Sequence, residues 1–329
     1  MSRTFASHHW LIQTCIACAG LLALAETCAQ AEQARNAPPS SNVLRVCADP
    51  DNLPLSNERG EGFENKIAEQ LARDLGRRLE YTYFPQRMGF VRNTLRQKDP
   101  TTQQFKCDVI IGVPKGYELT ATTRPYMRST YALVFRSRPE FQSMNTADDL
   151  LKLPPELLKK MRIGVFGRSP GADWLLRNQL LENAVSYTPQ SGDPHENPAL
   201  VVERDLDSGA IDLAIVWGPV AGHLVRAHSS FPAWHAVPFA LDKEIKFDYE
   251  ISMGVRFGEK EWKDELDRWI ASHEQHVHDI LTAFLVPLLD ASGQVTADFR
   301  ANERGPAMGV LRSASTCNLK RCLDGEVVR

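Results

Sequence analysis

Beyond its amino terminus the sequence has no apolar run long enough to cross a membrane. After residue 31, no segment approaches the roughly 18 consecutive apolar residues that a transmembrane helix requires. The chain also has no block of like charge, and its formal net charge of -3 is spread over mixed signs. A nucleic-acid-binding protein would carry a basic face. We therefore expect a soluble mature protein with no membrane span and no nucleic-acid partner.

Motifs of common catalytic and cofactor sites are missing as well. No P-loop or dinucleotide-binding glycine motif occurs, and no G-x-S-x-G stands in the context that it needs. After residue 31 there is no C-x-x-C or C-x-x-C-H, which excludes covalent haem. His273, Glu274, His276 and His278 suggest a metal site, but H-E-x-x-H would need histidine where Val277 stands. The sequence thus predicts no catalytic residue, no metal and no cofactor of its own.

The first 31 residues have the organisation of an export signal. Arg3 supplies a positive charge, residues 11–25 form a short apolar core, and Ala29-Gln30-Ala31 is a small-x-small cleavage pattern. The alternative is an anchoring amino-terminal helix. We predict a signal peptide over residues 1–31, a disordered lead-in over residues 32–42, and a periplasmic protein.

Cleavage there leaves four cysteines, namely Cys47, Cys107, Cys317 and Cys322. An even number in an oxidising compartment indicates a disulfide framework, for which three pairings are open. Two distant pairs do not have the spacing of a zinc site.

Hydrophobic periodicity predicts two β-α-β-α-β units. In the first, Phe63, Ile67, Leu71 and Leu75 recur every four residues and indicate an amphipathic helix. Its other elements are strands at 44–48, 79–84 and 108–113 and a helix at 89–98. The second unit has strands at 162–166, 185–188 and 211–217, a helix at 172–182, and a helix that Asn197 caps. Strands at 131–136 and 250–257 and a long helix at 259–285 complete the pattern.

This order predicts an α/β fold of two doubly wound lobes joined by two crossover strands. Lobe one would comprise residues 43–138 and 241–290, lobe two residues 139–240, and residues 291–329 would form a polar tail. In such folds a ligand binds where the carboxyl ends of the strands meet.

Several stretches carry a family resemblance. The order of elements resembles the family-3 extracellular solute-binding proteins, which have a periplasmic-binding-protein fold. The stretches at 46–54, 62–68, 83–87, 90–96, 107–114 and 123–132 resemble the MxaJ/XoxJ type, the binding-protein-like accessory proteins of PQQ-dependent methanol and alcohol dehydrogenases. The resemblance implies a periplasmic partner of a quinoprotein dehydrogenase, acting in its maturation, activation or cofactor supply. PQQ would then reach this chain only through the partner.

The fold also favours one disulfide pairing. Strands one and three are neighbours in this type of sheet, so we favour Cys47 with Cys107 and Cys317 with Cys322. Cys47 comes late in its strand and Cys107 begins the other, which places the first pair near the limits of disulfide geometry.

The cleft departs from amino-acid receptors of the family. Those receptors hold the ligand carboxylate with an arginine after an acidic residue, where this chain has Leu119 after Glu118. They hold the ligand ammonium with a carboxylate where this chain has Trp217. Trp217 could equally be a core residue at a strand end. We expect a cleft that binds something other than a free amino acid, or that serves as a docking surface.

The candidate cleft residues are polar, charged or aromatic. Gly167 to Ser169 precede a predicted helix whose first backbone N–H groups could bind an anion. The alternative is that these residues form an ordinary helix cap. The cationic candidates, namely Arg87, Lys115, Arg124 and Arg128, would suit a tricarboxylic anion such as PQQ, or could be structural ion pairs. The predicted set is Asp49, Asn52, Arg87, Lys115, Arg124, Arg168, Ser169 and Trp217.

Two alternative functions stay open at this point. One is a receptor of an ABC transporter for a small solute other than a simple amino acid. The other is an enzyme on the same fold, which would need a cleft acid with a raised pKa, with Glu61 or Glu64 as candidates.

Overall fold

The computed structural model describes residues 42–188, 197–230 and 233–299. The predicted signal peptide, Cys317 and Cys322 lie outside the described residues. Within the described ranges, no helix is both long and apolar enough to cross a bilayer.

The first half is the predicted β-α-β-α-β unit. Phe63, Ile67 and Leu71 are fully buried on one face of the first helix, as their spacing predicts. Gly62 precedes that helix, and a Cβ there would lie 2.0 Å from the carbonyl oxygen of Leu55, so only glycine fits. The elements are β1 Val43–Ala48, β2 Asp51–Asn52, β3 Ser56–Asn57, α1 Phe63–Asp74, β4 Arg78–Tyr83, α2 Phe90–Asn93 and β5 Val109–Pro114.

One long strand then runs from the first half into the second. β6 covers Ala121–Arg136, whereas the sequence predicted a strand only at 131–136. Its first part contains Pro125, which argues against a central strand. The structure accommodates Pro125 at a register shift against β11 (Asp248–Val255).

The second half repeats the unit. The predicted cap at Asn197 is confirmed, because its side chain accepts the backbone N–H of Ala199 at 2.9 Å. Short 3₁₀ turns lie at Pro139–Phe141, Ala147–Lys152 and Leu181–Asn183. The elements are α3 Pro155–Leu158, β7 Ile163–Phe166, α4 Pro170–Arg177, β8 Ala184–Tyr187, α5 Pro198–Ser208, β9 Leu213–Trp217, α6 Gly218–Ala227 and β10 Trp234–Pro238.

After β10 the chain crosses back beside β6. Phe239 donates its backbone N–H to the carbonyl oxygen of Tyr131 at 2.9 Å, and Tyr131 donates to Phe247 at 3.1 Å. The rings of Phe239 and Phe247 stack at 4.3 Å. The backbone of Tyr131 on β6 therefore hydrogen-bonds to the returning chain on both sides of its turn, at Phe239 and at Phe247.

The carboxy-terminal helix prediction was wrong in one respect. The helix expected at 259–285 is divided at His273 into α7 Lys260–Ser272 and α8 Glu274–Ala283. His273 contacts Asp74 at the end of α1, with 3.1 Å between Nε2 and Oδ2, and its ring stacks on Trp269. The break therefore coincides with a tertiary contact. A hairpin of β12 Leu288–Leu289 and β13 Val295–Ala297 follows, where the sequence analysis placed no strand after 291.

Two other helices are shorter than predicted. The helix expected at 89–98 covers only α2, and the one expected at 172–182 covers only α4. Beyond α2, Thr94 leaves helical geometry with φ of -121° and ψ of -87°. Apolar periodicity does not report such local ends.

Nine strands of the described residues form one continuous sheet, in the order β4-β1-β5-β11-β6-β9-β7-β8, with β10 also paired to β6. The pairs β2–β3 and β12–β13 are separate two-stranded sheets. The three strands β4, β1 and β5 are parallel, as are β9, β7 and β8. Antiparallel β11 and β6 join the two sets. Each half has a core of its own, one around Phe63 and Trp262 and another around Trp174 and Phe247. The exact lobe boundaries, at residues 138 and 240, stay predictions.

Candidate functional site

The loops that follow β1 and β4 are tied together by the carboxylate of Asp49. One oxygen accepts the backbone N–H of Asp51 at 2.9 Å, and the other accepts the backbone N–H of Gln86. The Asn52 amide donates to the side-chain oxygen of Gln86 at 3.1 Å. Burial raises the pKa of Asp49, although the two backbone bonds and the charge of Arg87 oppose that shift. Asp49, Asn52 and Arg87, all predicted cleft residues, therefore lie together.

Glu64 lies close to this loop pair in the first turn of α1. Only 7% of the residue is exposed, and burial, with Asp49 nearby, raises the pKa of its carboxyl to about 8. A Cβ at Gly112 would lie 2.0 Å from Glu64 Oε1 and 3.5 Å from the Tyr126 hydroxyl. Because residue 112 is glycine and has no Cβ, the Glu64 carboxyl can occupy this position. The sequence analysis named Glu64 as a candidate cleft acid but missed Gly112.

Three of the predicted cations are neutralised by carboxylates. Lys115 pairs with Glu250 at 2.9 Å, and Arg128 pairs with Asp248 at 2.8 Å. Arg124, on β6, pairs with Glu274 on α8 at 3.0 Å. Its side chain therefore faces the carboxy-terminal helices rather than Asp49.

Lys115 and Arg128 share a cleft at the junction of β5, β6 and β11. Its volume is about 430 Å³, and Lys246, Tyr249 and Glu250 also line it. Lys246 lies 5.1 Å from the ring centroid of Tyr249. The charges in this cleft are of both signs, so it does not present a purely cationic wall to an anion.

In the second half, Arg168 and Ser169 form the turn between β7 and α4. Arg168 is exposed and has a φ of +61°. Ser169 is the residue before the helix, and its buried hydroxyl has no hydrogen-bond partner within the described ranges. The unpartnered hydroxyl at a helix start is compatible with the predicted anion site, which stays a prediction.

Residues 167–171 read G-R-S-P-G and match the letters of G-x-S-x-G at a strand-to-helix turn. A nucleophile elbow puts the serine itself on a strained turn. Here the positive φ belongs to Arg168, while Ser169 has a φ of -100°. No histidine within the described ranges bonds the serine hydroxyl. The match therefore lacks the geometry of an activated nucleophile.

Trp217 belongs to an aromatic cluster where the two halves of the sheet join. Its ring meets Tyr131 edge-on at 5.5 Å and Tyr249 edge-on at 5.9 Å. Burial raises the pKa of Tyr131 to about 12. Trp217 is half-buried, so it is both a packing residue and part of the surface at the strand ends. The sequence analysis missed Tyr131 and Tyr249, although both are aromatic residues on the crossover strands.

The favoured disulfide between Cys47 and Cys107 is confirmed. Its Cα atoms are 5.4 Å apart, well inside disulfide geometry. Cys47 is the neighbour of Ile110 in the sheet. Cys107 lies two residues before β5 begins and forms its disulfide with Cys47 from there. The predicted pair of Cys317 and Cys322 lies outside the described residues.

The histidines of α8 do not gather into a metal site. In the part of the chain that the structure describes, no three His, Cys, Asp or Glu residues are placed to hold an ion.

Comparisons with known proteins agree with this fold. The crystal structure of periplasmic binding protein XoxJ from Methylobacterium extorquens AM1 matches 75% of this chain and 99% of its own, with 35% identity and a TM-score of 0.59. The crystal structure of MxaJ from Methylophaga aminisulfidivorans MPT matches 75% of this chain and 100% of its own, with 26% identity and a TM-score of 0.58.

A curated relative gives the same result. Protein MoxJ from Paracoccus denitrificans is 29% identical over 263 residues, which are 76% of this chain and 90% of that protein. No protein-family model matches the chain. Because XoxJ is matched over nearly its whole length at 35% identity, this chain belongs to the XoxJ, MxaJ and MoxJ family of periplasmic binding proteins.

Proposed function

We propose that the chain is a non-enzymatic periplasmic accessory protein of a PQQ-dependent methanol or alcohol dehydrogenase, acting in its maturation, activation or cofactor supply. The observation that carries the proposal is the match to XoxJ over 99% of that protein. The stretches at 46–54, 62–68 and 107–114, which resemble the accessory branch, belong to or flank β1, α1 and β5.

The chemistry of the strand ends also favours an accessory role over a transport receptor. An amino-acid ligand would need a free guanidinium for its carboxylate and a carboxylate for its ammonium. Leu119 and Trp217 stand at those places, and Trp217 is packed against Tyr131 and Tyr249. Lys115 and Arg124 are engaged by Glu250 and Glu274. These contacts are poorly suited to a free amino acid.

The same geometry speaks against an enzyme. Glu64 has the raised pKa that a general acid would need, but its carboxyl is buried against Gly112. The pKa of Glu61 is lowered by hydrogen bonds from Asn57 and Arg59, so it would be a poor proton donor near neutral pH.

PQQ would contact this chain only while the dehydrogenase holds or receives it. The protein would carry no cofactor of its own, and its working partner would be the quinoprotein rather than a permease.

Deletion of the gene in its source organism tests this proposal. We expect loss of periplasmic PQQ-dependent methanol or alcohol oxidation, while the dehydrogenase polypeptide is still exported, and recovery when the gene is supplied on a plasmid. Full dehydrogenase activity in the deletion strain, together with a defect in uptake of a small solute, would support the transport receptor instead.

A further inference from the structure

An exposed apolar surface surrounds α2 in the first half of the protein. Met88 is 93% exposed, Phe257 is 60% exposed and Leu119 is 38% exposed. Large apolar side chains in contact with water raise the free energy of the isolated protein, and a group of them marks an interaction site.

Two arginines lie beside these side chains, one near Gly89 and the other between Leu119 and Phe257. Arg92 lies over Gly89, next to Met88, with a guanidinium nitrogen 3.4 Å from where a Cβ of residue 89 would be. The Arg96 guanidinium lies 5.9 Å from the ring centroid of Phe257, and it donates to the carbonyl oxygen of Leu119 at 2.5 Å. Met88, Arg92, Arg96, Leu119 and Phe257 are called the α2 surface below.

The two arginines of the α2 surface keep their charge uncompensated. Within the described ranges neither Arg92 nor Arg96 has a carboxylate at ion-pair distance, whereas Arg45, Lys66 and many other cations of the chain do. Glu118, beside Leu119, is exposed but pairs with neither arginine. The surface is thus locally basic on a chain whose net charge is -3.

The residues beneath the α2 surface, on its buried side, are tightly packed. Phe90, Val91 and Leu95 pack with the Cys47–Cys107 disulfide in a small buried cluster. Arg256, next to Phe257 in the chain, donates to the carbonyl oxygen of Leu95 at 2.9 Å. A surface that is already ordered loses little conformational entropy on binding.

We propose that the α2 surface is the docking site for an acidic protein surface that has an apolar recess, which on the function proposed above belongs to the quinoprotein dehydrogenase. Methionine, phenylalanine and arginine are enriched in protein interfaces, and exposed unpaired arginines select acidic partners. An anionic lipid surface is a poorer match, because lipid-binding patches use clusters of about four to eight basic residues. The α2 surface has only two basic residues, Arg92 and Arg96, and the acidic Glu118 lies beside it.

Crosslinking and charge reversal test this docking site. A photoreactive phenylalanine analogue at position 88 should crosslink to the purified dehydrogenase, while the same analogue at Leu181, which is 52% exposed on the second half, should not. The double substitution Arg92→Glu/Arg96→Glu should weaken binding on the order of tenfold and reduce its salt dependence. The control Lys160→Glu/Lys243→Glu changes charge equally at exposed cations outside this surface.

The outcomes separate the two proposals. If the unmodified chain binds the dehydrogenase but the arginine variant binds equally well and position 88 does not crosslink, the docking site is overturned and the proposed function stands. If the unmodified chain does not bind, both are overturned. Arginine-dependent binding to phosphatidylglycerol vesicles, with dehydrogenase binding unaffected by the variant, would assign the surface to lipid. Position 88 is nearly fully exposed, so its crosslinking stays interpretable even if the arginine variant folds poorly.

Discussion

The guanidinium of Arg256 donates a hydrogen bond to the backbone carbonyl oxygen of Cys107, with 2.5 Å between nitrogen and oxygen. Through this bond the residue that follows β11 is joined to the disulfide that fastens β5 to β1. Arg256 is buried, and it also pairs with Glu259 at 2.6 Å. The contact makes the α2 region, the disulfide and the end of β11 one structural unit.

Arg256→Ala should therefore lower the free energy of unfolding by about 3–5 kcal/mol, because it leaves the half-buried Glu259 and the carbonyls of Leu95 and Cys107 without their donor. Urea unfolding followed by circular dichroism measures the change. Arg268→Ala removes an exposed arginine that has no ion pair in the described ranges, and it should change stability by less than about 0.5 kcal/mol. Equal free energies of unfolding for both variants would show that the contacts of Arg256 do not stabilise the protein.

Loss of the disulfide should destabilise the same region. The cysteines are 60 residues apart, and a loop of that length predicts about 4 kcal/mol of stabilisation. Cys47→Ala/Cys107→Ala should show this loss in urea unfolding, and a reducing agent should destabilise the parent chain but not the variant. An unfolding midpoint that neither change moves would contradict the pairing.

The stability of the protein should depend on pH through Glu64. The unfolded chain releases this proton near pH 4.5 and the folded chain near pH 8, so the free energy of unfolding falls as pH rises between these values. Glu64→Gln cannot ionise and should be more stable than the parent chain at pH 8, by on the order of 4 kcal/mol, but not at pH 4.

Urea unfolding at several pH values measures this difference. Glu118→Gln, at an exposed carboxylate, is the matched control and should follow the pH profile of the parent chain. Parallel profiles for Glu64→Gln and the parent chain would mean that Glu64 is ionised in the folded protein.

The purified chain should not bind free PQQ. Lys115, Arg124 and Arg128 are each paired with a carboxylate, so none of these three cations is free to bind a tricarboxylic anion. Isothermal titration up to high micromolar PQQ should give no saturable heat. Saturable binding that Arg168→Ala weakens would instead place an anion site at the start of α4.

Sequence patterns predicted those elements whose signals are local. The spacing of Phe63, Ile67 and Leu71 predicted α1, and the neighbouring strands of the fold predicted the Cys47–Cys107 pair. The first part of β6 could not be predicted, because only its pairing with β11, far away in sequence, makes it a strand.

The candidate site shows the same division. Asp49, Asn52 and Arg87 were expected together and lie together because they belong to adjacent strand ends. Arg124 has its partner at Glu274, 150 residues away, which no local pattern reports. The burial of Glu64 depends on the space at Gly112, which is likewise set by tertiary packing.

Direct binding between this chain and the PQQ-dependent methanol or alcohol dehydrogenase of its source organism tests the accessory role most directly. With the mature chain immobilised, biolayer interferometry should show saturable binding of the purified dehydrogenase, weakened by salt, since the interface proposed above is charged. No binding of the apoenzyme or the holoenzyme at low salt, by a chain that is folded and disulfide-bonded, would contradict the account.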